Sequence, residues 1–223
     1  MLNTIIDISH WQKIFSLDKI KAAGIIGIIH KATEGKRNTD NKFLQRKPDI
    51  IKAGFLFGSY HFLRNNGRLE AERYLDIVRP QDNELIMLDT EAQNLTTRQN
   101  IIESEAFVKR IYELTGRYPV WYIGMFLLNQ YASFADYDGM ELLNCPLFVA
   151  RYSSKEPTVP SSFKTWTLWQ YTQDGIVNGI TTVDRDKFNG DLPGLLKLWN
   201  SAERAEAFEG INIDVSNDTP DNE

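Results

Sequence analysis

The sequence predicts an α/β fold, a single barrel in which strands and helices alternate through the first half of the chain and strands dominate the second half. Short β-like runs alternate with helix-like segments and give about eight strands, which favours a barrel over an open sheet. The connections between Ile123 and Asp184 are short and contain little helical pattern. The length of 223 residues fits one domain of this kind.

The first half of the chain consists of strand–helix repeats. The run at 25–29 is apolar on both faces, which is typical of a parallel strand covered on each side. Ser16 is a predicted N-cap of the first helix. The helices end at a glycine or before a proline, in order Gly24, Gly54, Pro80 and Gly116. Strands are predicted at 4–8, 25–29, 55–62 and 85–89, and helices at 16–24, 41–53, 68–78 and 98–115.

The second half is predicted to add strands with little helix between them. These strands are expected at 120–123, 147–150, 167–171 and 182–184, followed by a closing helix at 192–208. We assign residues 1–209 to the barrel. Residues 210–223 are acidic and nearly free of apolar side chains, so we expect a loose C-terminal tail.

Composition excludes several classes of function. The chain has 25 basic and 30 acidic residues and a formal net charge of −5, which argues against binding nucleic acid or an anionic membrane. No apolar run approaches the roughly 20 residues of a spanning helix, so we expect no membrane insertion. Cys145 is the one cysteine, so no intramolecular disulfide can form. Residues 1–4 lack the pattern of an export signal.

Polar and aromatic residues collect where the predicted strands end. Barrel enzymes carry their sites at the C-terminal ends of the strands, so these positions are the candidates for chemistry. A single acid at a strand end is commonly a solvated loop residue, but several apolar runs here end in acids. The acids at these ends are Asp7, Glu34, Asp89, Glu91 and Asp184, and the other candidate residues are Tyr60, Tyr122, Trp169 and Gln170.

The segment Leu85–Glu91 is the sharpest of these signals, because an apolar strand leads into two carboxylates two residues apart. Residues i and i+2 of a strand share a face, and two rises of about 3.3 Å put Asp89 and Glu91 about 6.6 Å apart at Cα. Carboxylates this close raise each other's pKa, so one can act as a general acid while the other stays ionised. Glycosidic bond cleavage uses such a pair. Salt bridges to Lys31 or Arg151 are the structural alternative.

A metal-dependent hydrolase is a second alternative, since His10, His30 and His61 all fall near strand ends. The sequence contains neither HxH nor HExxH spacing, and Cys145 stands alone. We therefore predict no metal and no cofactor, and expect the histidines to serve as hydrogen-bonded packing residues.

Six ordered motifs make the chain resemble glycoside hydrolase family 25, the muramidases. The resemblance covers roughly residues 5–190. The motifs are Asp7-Ile8-Ser9-His10-Trp11-Gln12, Lys31-Ala32-Thr33-Glu34-Gly35, Gly58-Ser59-Tyr60-His61-Phe62, Leu88-Asp89-Thr90-Glu91, Trp169-Gln170-Tyr171, and Val183-Asp184 with Phe188-Asn189-Gly190. It implies a flattened TIM-like barrel of about five βα units plus three further strands, with a groove at the C-terminal rim.

The resemblance also implies roles for individual residues. Glu91 matches the catalytic acid, and Asp89 matches the acid that orients the substrate's N-acetyl group. Asp7 and Asp184 match two aspartates that frame the cleft. The matching substrate-binding positions are Tyr60, Tyr122, Trp169, Gln170 and Glu34.

The resemblance implies cleavage of the β-1,4 bond between N-acetylmuramic acid and N-acetylglucosamine. We favour substrate assistance with net retention, although a separation of about 6.6 Å also sits at the lower edge of the inverting range. A non-catalytic glycan-binding module is the alternative, and it would be expected to have lost one of the two acids.

The expected partner is the glycan strand of bacterial peptidoglycan, and we expect the protein to act as a monomer. Its place of action is the cell wall, extracellular or periplasmic. Because no export signal is visible, release of a phage lysin or dedicated secretion are the routes that we expect.

Overall fold

The computed structural model describes residues 1–131, 139–208, 210 and 211, and within them one sheet of nine strands runs through the molecule. The strands are β1 (Leu2–Ile8), β2 (Gly27–Glu34), β3 (Asn38–Thr39), β4 (Leu56–Phe62), β5 (Leu85–Thr90), β6 (Val120–Gly124), β7 (Leu147–Ala150), β8 (Leu168–Gly175) and β9 (Val183–Phe188). The helices are α1 (Leu17–Ala22), α2 (Phe43–Lys52), α3 (Gly67–Val78), α4 (Thr97–Thr115), α5 (Met125–Tyr131) and α6 (Leu192–Leu198), with 3₁₀ turns at Glu141–Asn144 and Ala202–Phe208.

Eight of these strands close into a barrel. The order is β1-β9-β8-β7-β6-β5-β4-β2, and β1 also pairs with β2, which joins the two ends. The short β3 pairs with β2 and lies outside the ring. The pairs from β1 through β2, β4, β5, β6 and β7 to β8 are parallel. Five βα units followed by three further strands are therefore confirmed, as is the α/β barrel.

The last strand, β9, runs antiparallel to both of its neighbours, β1 and β8. The sequence predicts Asp184 at the end of a strand, whereas it is the second residue of β9. Because β9 is reversed, its first residues lie at the same rim as the carboxyl ends of the other strands. Asp184 is therefore at the expected rim for a different reason.

Apolar side chains on the two faces of the strands form two cores. Ile5 and Ile29 belong to a cluster inside the barrel, whereas Ile6 and Ile28 belong to the larger cluster between the barrel and its helices. This division follows from the alternation of side chains along a strand and explains why β2 is apolar on both faces. Trp199 joins the inner cluster, and its Nε1 donates to the Phe57 carbonyl at 3.0 Å.

Two predicted boundaries are corrected. The second strand extends to Glu34 rather than ending at Ile29. The closing helix predicted at 192–208 is broken after Leu198, because Asn200 adopts a left-handed φ of 50° and the chain resumes as a 3₁₀ turn. The predicted tail at 210–223 lies almost entirely outside the described residues. Among the described helices, none has the length and apolar character to cross a membrane.

Candidate active site

A polar cavity of about 180 Å³ opens at the rim where the parallel strands end. Its walls come from β1, β4, β5, β6, β8 and β9 and from the segment that follows β7. The lining residues are Asp7, Tyr60, Met87, Asp89, Glu91, Tyr122, Tyr152, Gln170, Gln173 and Asp184. The four predicted catalytic acids thus meet in one cavity, together with three of the five predicted substrate-binding residues.

The end of β5 brings Asp89 and Glu91 to the same cavity because the residue between them points the other way. The Oγ1 atom of Thr90 lies 2.8 Å from the hydroxyl of Ser104 on α4 and accepts a hydrogen bond from Nε1 of Trp121 at 2.9 Å. Thr90 is fully buried in this outward position. The alternation of the strand therefore directs Asp89 and Glu91 inward, as the spacing of two residues predicted.

The two acids differ in their surroundings. Asp89 is only 5% exposed, and none of the described residues donates a hydrogen bond to its buried Oδ1 atom. Burial and then the charge of Glu91 raise the pKa of Asp89 well above its usual value. Glu91 lies past the end of β5 at the solvent edge, where partial burial raises its pKa, while Lys31 and a hydrogen bond with Tyr122 oppose the rise. The pair can therefore retain a proton near neutral pH.

A second pair of acids forms the opposite wall. Asp7 of β1 lies directly across from Asp184 of β9 in the antiparallel register. Burial and the charge of Asp184 raise the pKa of Asp7, and burial raises the pKa of Asp184 to about 6. Nε2 of Gln170 donates to Oδ2 of Asp7 at 2.7 Å, and Oε1 of Gln170 accepts from the hydroxyls of Tyr122 at 2.9 Å and Tyr152 at 3.0 Å. Gln170 therefore links the wall of acids to the tyrosines.

Glu34, a predicted substrate-binding residue, lies outside the cavity lining. Its carboxylate pairs with Lys31 Nζ at 2.6 Å and with Arg64 Nη2 at 2.5 Å and Nε at 2.9 Å. The Lys31 ammonium also lies 4.7 Å from the centroid of the Phe62 ring. Glu34 therefore pairs with Lys31, the cation that lowers the pKa of Asp89 and Glu91.

Trp169 is likewise placed away from the cavity. Its ring is 1% exposed, and its Nε1 donates to the Arg151 carbonyl at 2.7 Å. Since Gln170 faces the interior of the barrel, the preceding residue on β8 must face the helices. Trp169 therefore packs in the outer core and offers no open face to a sugar ring.

Sequence reasoning missed three lining residues, namely Tyr152, Gln173 and Met87. Tyr152 lies two residues beyond the end of β7, which is also where the predicted strand ends. Gln173 was missed because β8 continues to Gly175. Met87 is two residues before Asp89 on β5, so alternation alone could have identified it.

The three histidines make structural contacts. His10 contacts the carboxylate of Asp40, His61 contacts that of Glu70, and His30 contacts a backbone carbonyl oxygen of β2. Within the parts of the chain that the structure describes, no group of three or more His, Cys, Asp or Glu side chains is arranged to hold a metal ion.

Comparison with known proteins relates this site to one enzyme family. The family model for glycosyl hydrolases family 25 matches residues 6–180. Lysozyme M1 of Streptomyces globisporus is 34% identical over 211 residues, which cover 88% of this chain and 71% of that protein. The N,O-diacetylmuramidase of Chalaropsis sp is 26% identical over 213 residues, 86% of this chain and 96% of that protein.

A solved structure shares the architecture as well. The bacterial lysozyme from Streptomyces coelicolor superposes with a TM-score of 0.75 at 32% identity, covering 88% of this chain and 96% of that one. The resemblance inferred from the six motifs is therefore confirmed, and the chain belongs to glycosyl hydrolases family 25.

Proposed function

We propose that this glycoside hydrolase is an N-acetylmuramidase that cleaves the β-1,4 bond between N-acetylmuramic acid and N-acetylglucosamine in bacterial peptidoglycan. The observation that carries the proposal is the placement of Asp89 and Glu91 in one rim cavity, with burial raising the pKa of each. A glycosidase needs a proton for the leaving oxygen and a group that stabilises positive charge at the anomeric carbon.

Glu91 is the general acid in this proposal. It stands at the solvent edge of the cavity, where a glycosidic oxygen can reach it, and Asp89 is more deeply buried. A carboxyl group whose pKa lies above its usual value stays protonated closer to neutral pH, which suits proton donation to a leaving group. Bond cleavage moves this proton to the glycosidic oxygen and leaves Glu91 ionised, ready to accept a proton from water.

Asp89 holds the N-acetyl group of the muramic acid. Its buried Oδ1 has no hydrogen-bond donor in the part of the chain that the structure describes, and the acetamide N–H of the substrate would supply one. Such a bond favours the ionised form of Asp89, so the proton shared by the pair moves to Glu91 when substrate binds. The acetamide oxygen then attacks its own anomeric carbon, water opens the resulting ring, and the configuration is retained.

The remaining residues shape the groove. Asp7 and Asp184 frame the far wall, and Gln170 with Tyr60, Tyr122 and Tyr152 presents hydroxyl and amide groups to the sugar. The partner is the peptidoglycan of the bacterial cell wall. We further propose that a monomer suffices, that residues 1–209 form the catalytic barrel, with 210–223 as a tail, and that phage-lysin release or dedicated secretion delivers the protein to the wall.

Digestion of purified peptidoglycan tests the function. The suspension is expected to lose turbidity, and borohydride reduction followed by mass spectrometry is expected to label N-acetylmuramic acid at the new reducing ends. Labelled N-acetylglucosamine would make the enzyme a glucosaminidase. Binding to the wall without any new reducing end would instead favour the non-catalytic glycan-binding module.

Replacing Lys31 by Met is expected to shift the pH–activity profile toward alkaline pH by about 0.5–1 unit. Lys31 lowers the pKa of both Asp89 and Glu91, so its loss raises both. In this variant, both Asp89 and Glu91 therefore lose their protons at a higher pH than in the wild type. The measurement is kcat/KM against pH, with the exposed Lys36→Met in the same hairpin as control. A profile unchanged from the wild type would remove Lys31 from the electrostatics of the pair.

A further inference from the structure

Asp186 is a buried acid to which the catalytic scheme has so far given no part. Its side chain is fully buried, and neither carboxylate oxygen has a hydrogen-bond donor among the described residues. An ionised carboxylate in such a place would lose its hydration without gaining a hydrogen-bond donor in return. These surroundings favour the neutral, protonated form of Asp186 in the folded protein.

The strand register shows where Asp186 points. On β9 it lies two residues after Asp184, and it is directly opposite Ile5 of β1 and Gln170 of β8. Residues paired across strands share a face, so Asp186 points into the barrel, one layer below the pair of Asp7 and Asp184. It is not among the residues that line the cavity, and it lies beneath the wall that Asp7 and Asp184 form.

The ionisable groups that face Asp186 are themselves acids. Asp7 approaches from β1 and Asp184 from β9 itself, while β8 contributes the uncharged Gln170. Arg185 is on the other face of β9, where its Nη2 donates to the Asn3 carbonyl. Burial, followed by the charges of Asp7 and Asp184 and a hydrogen bond with Asp7, raises the pKa of Asp186, and Arg185 only partly opposes the rise.

We propose that Asp186 is a positioning residue: as a neutral carboxylic acid it donates its O–H to Asp7 and fixes the plane of that carboxyl group beneath the substrate. Asp7 then receives one hydrogen bond from Asp186 below and one from Nε2 of Gln170 at 2.7 Å beside it. The remaining hydrogen-bonding positions of the Asp7 carboxyl group face Asp184. The effect on turnover rests on the proposed function, whereas the protonation state of Asp186 does not.

Thermal unfolding against pH tests the protonation state without any substrate. An unfolded Asp ionises near pH 4, so a proton held by folded Asp186 makes the wild type lose stability as the pH rises above that value. Asp186→Asn carries no such proton. The Tm of Asp186→Asn minus the Tm of the wild type is therefore expected to increase by about 3 °C for each pH unit between pH 5 and 7.

The control is Asp82→Asn, an exposed acid that should follow the wild type. A difference between Asp186→Asn and wild type that stays constant with pH would mean that Asp186 is ionised when folded, and would overturn the proposal.

Kinetics then test the positioning role. The Asn amide can still donate to Asp7, so Asp186→Asn is expected to keep kcat within about 3-fold of wild type, with an unchanged pH profile. Asp186→Leu fills similar space but has no donor, and is expected to lose about 10-fold in kcat and to alter the profile. Equal activity of the two variants would contradict the role. If the Leu variant does not fold, an altered pH profile in Asp186→Asn contradicts the role by itself.

Discussion

Glu91→Gln is expected to lower kcat by about 10³-fold while leaving KM within about 2-fold. The amide is nearly the size of the acid and can still bind sugar at the cavity edge, but it has no proton to give to the leaving oxygen. The loss therefore falls on the chemical step rather than on binding. Initial rates on soluble glycan fragments, measured at several concentrations, separate kcat from KM.

Glu113→Gln is the matched control for this variant. Glu113 is an exposed residue of α4 that pairs with Arg110 at 2.9 Å, remote from the cavity lining. The same chemical change there should leave both constants unaltered. Turnover by Glu91→Gln near the wild-type rate would remove Glu91 from the acid role and leave Asp89 as the candidate proton donor.

Asp89→Asn is expected to lower kcat by about 10²-fold. A carboxylate can accept the acetamide N–H and stabilise the positive charge that develops as the acetamide oxygen attacks the anomeric carbon. The neutral amide offers a weaker acceptor and no charge. Because Asp89 is buried beside Glu91, the substitution also removes a group that shares a proton with the acid.

The substrate itself provides the sharpest control for Asp89. Wild-type enzyme should lose activity when the muramic acid of the glycan is N-deacetylated. The Asp89→Asn variant, already impaired on normal glycan, should lose little further activity on the N-deacetylated glycan, because both changes remove the same interaction. Additive losses would show that Asp89 acts independently of the acetamide group. Asp76→Asn, an exposed acid of α3, controls for the loss of one charge.

The barrel could be predicted from the sequence because its signals are local. Alternating apolar runs, helix caps and terminal glycines define the βα units without reference to the rest of the chain. The antiparallel direction of β9 could also have been predicted, because the connection from Gly175 to Val183 is too short for the crossover that a parallel strand requires.

The pairing of Asp89 with Glu91 in the cavity followed from strand alternation in the same way. Alternation applied to β8 would also have shown that Trp169 and Gln170 cannot both face the groove. The sequence could not show that Glu34 pairs with Arg64, because these residues are 30 positions apart and meet only in the folded barrel. Such long-range ion pairs depend on register and side-chain conformation rather than on local pattern.

The burial of Asp186 is a similar case. The sequence shows an Asp two residues after Asp184, but it gives no sign that the second carboxyl group lacks a donor. That property depends on which side chains three different strands bring to one level of the barrel interior.

Leaving-group dependence of the Glu91→Gln variant tests proton donation by Glu91 most directly. A 2,4-dinitrophenyl glycoside of the muramic-acid disaccharide releases dinitrophenolate, which leaves without needing a proton, whereas the sugar hydroxyl released from the natural glycan must be protonated as it leaves. We predict that the ratio of wild-type to variant kcat falls from about 10³ on the glycan to within a few-fold of unity on the aryl glycoside. A ratio that remains near 10³ on both substrates would contradict the assignment of Glu91 as the general acid.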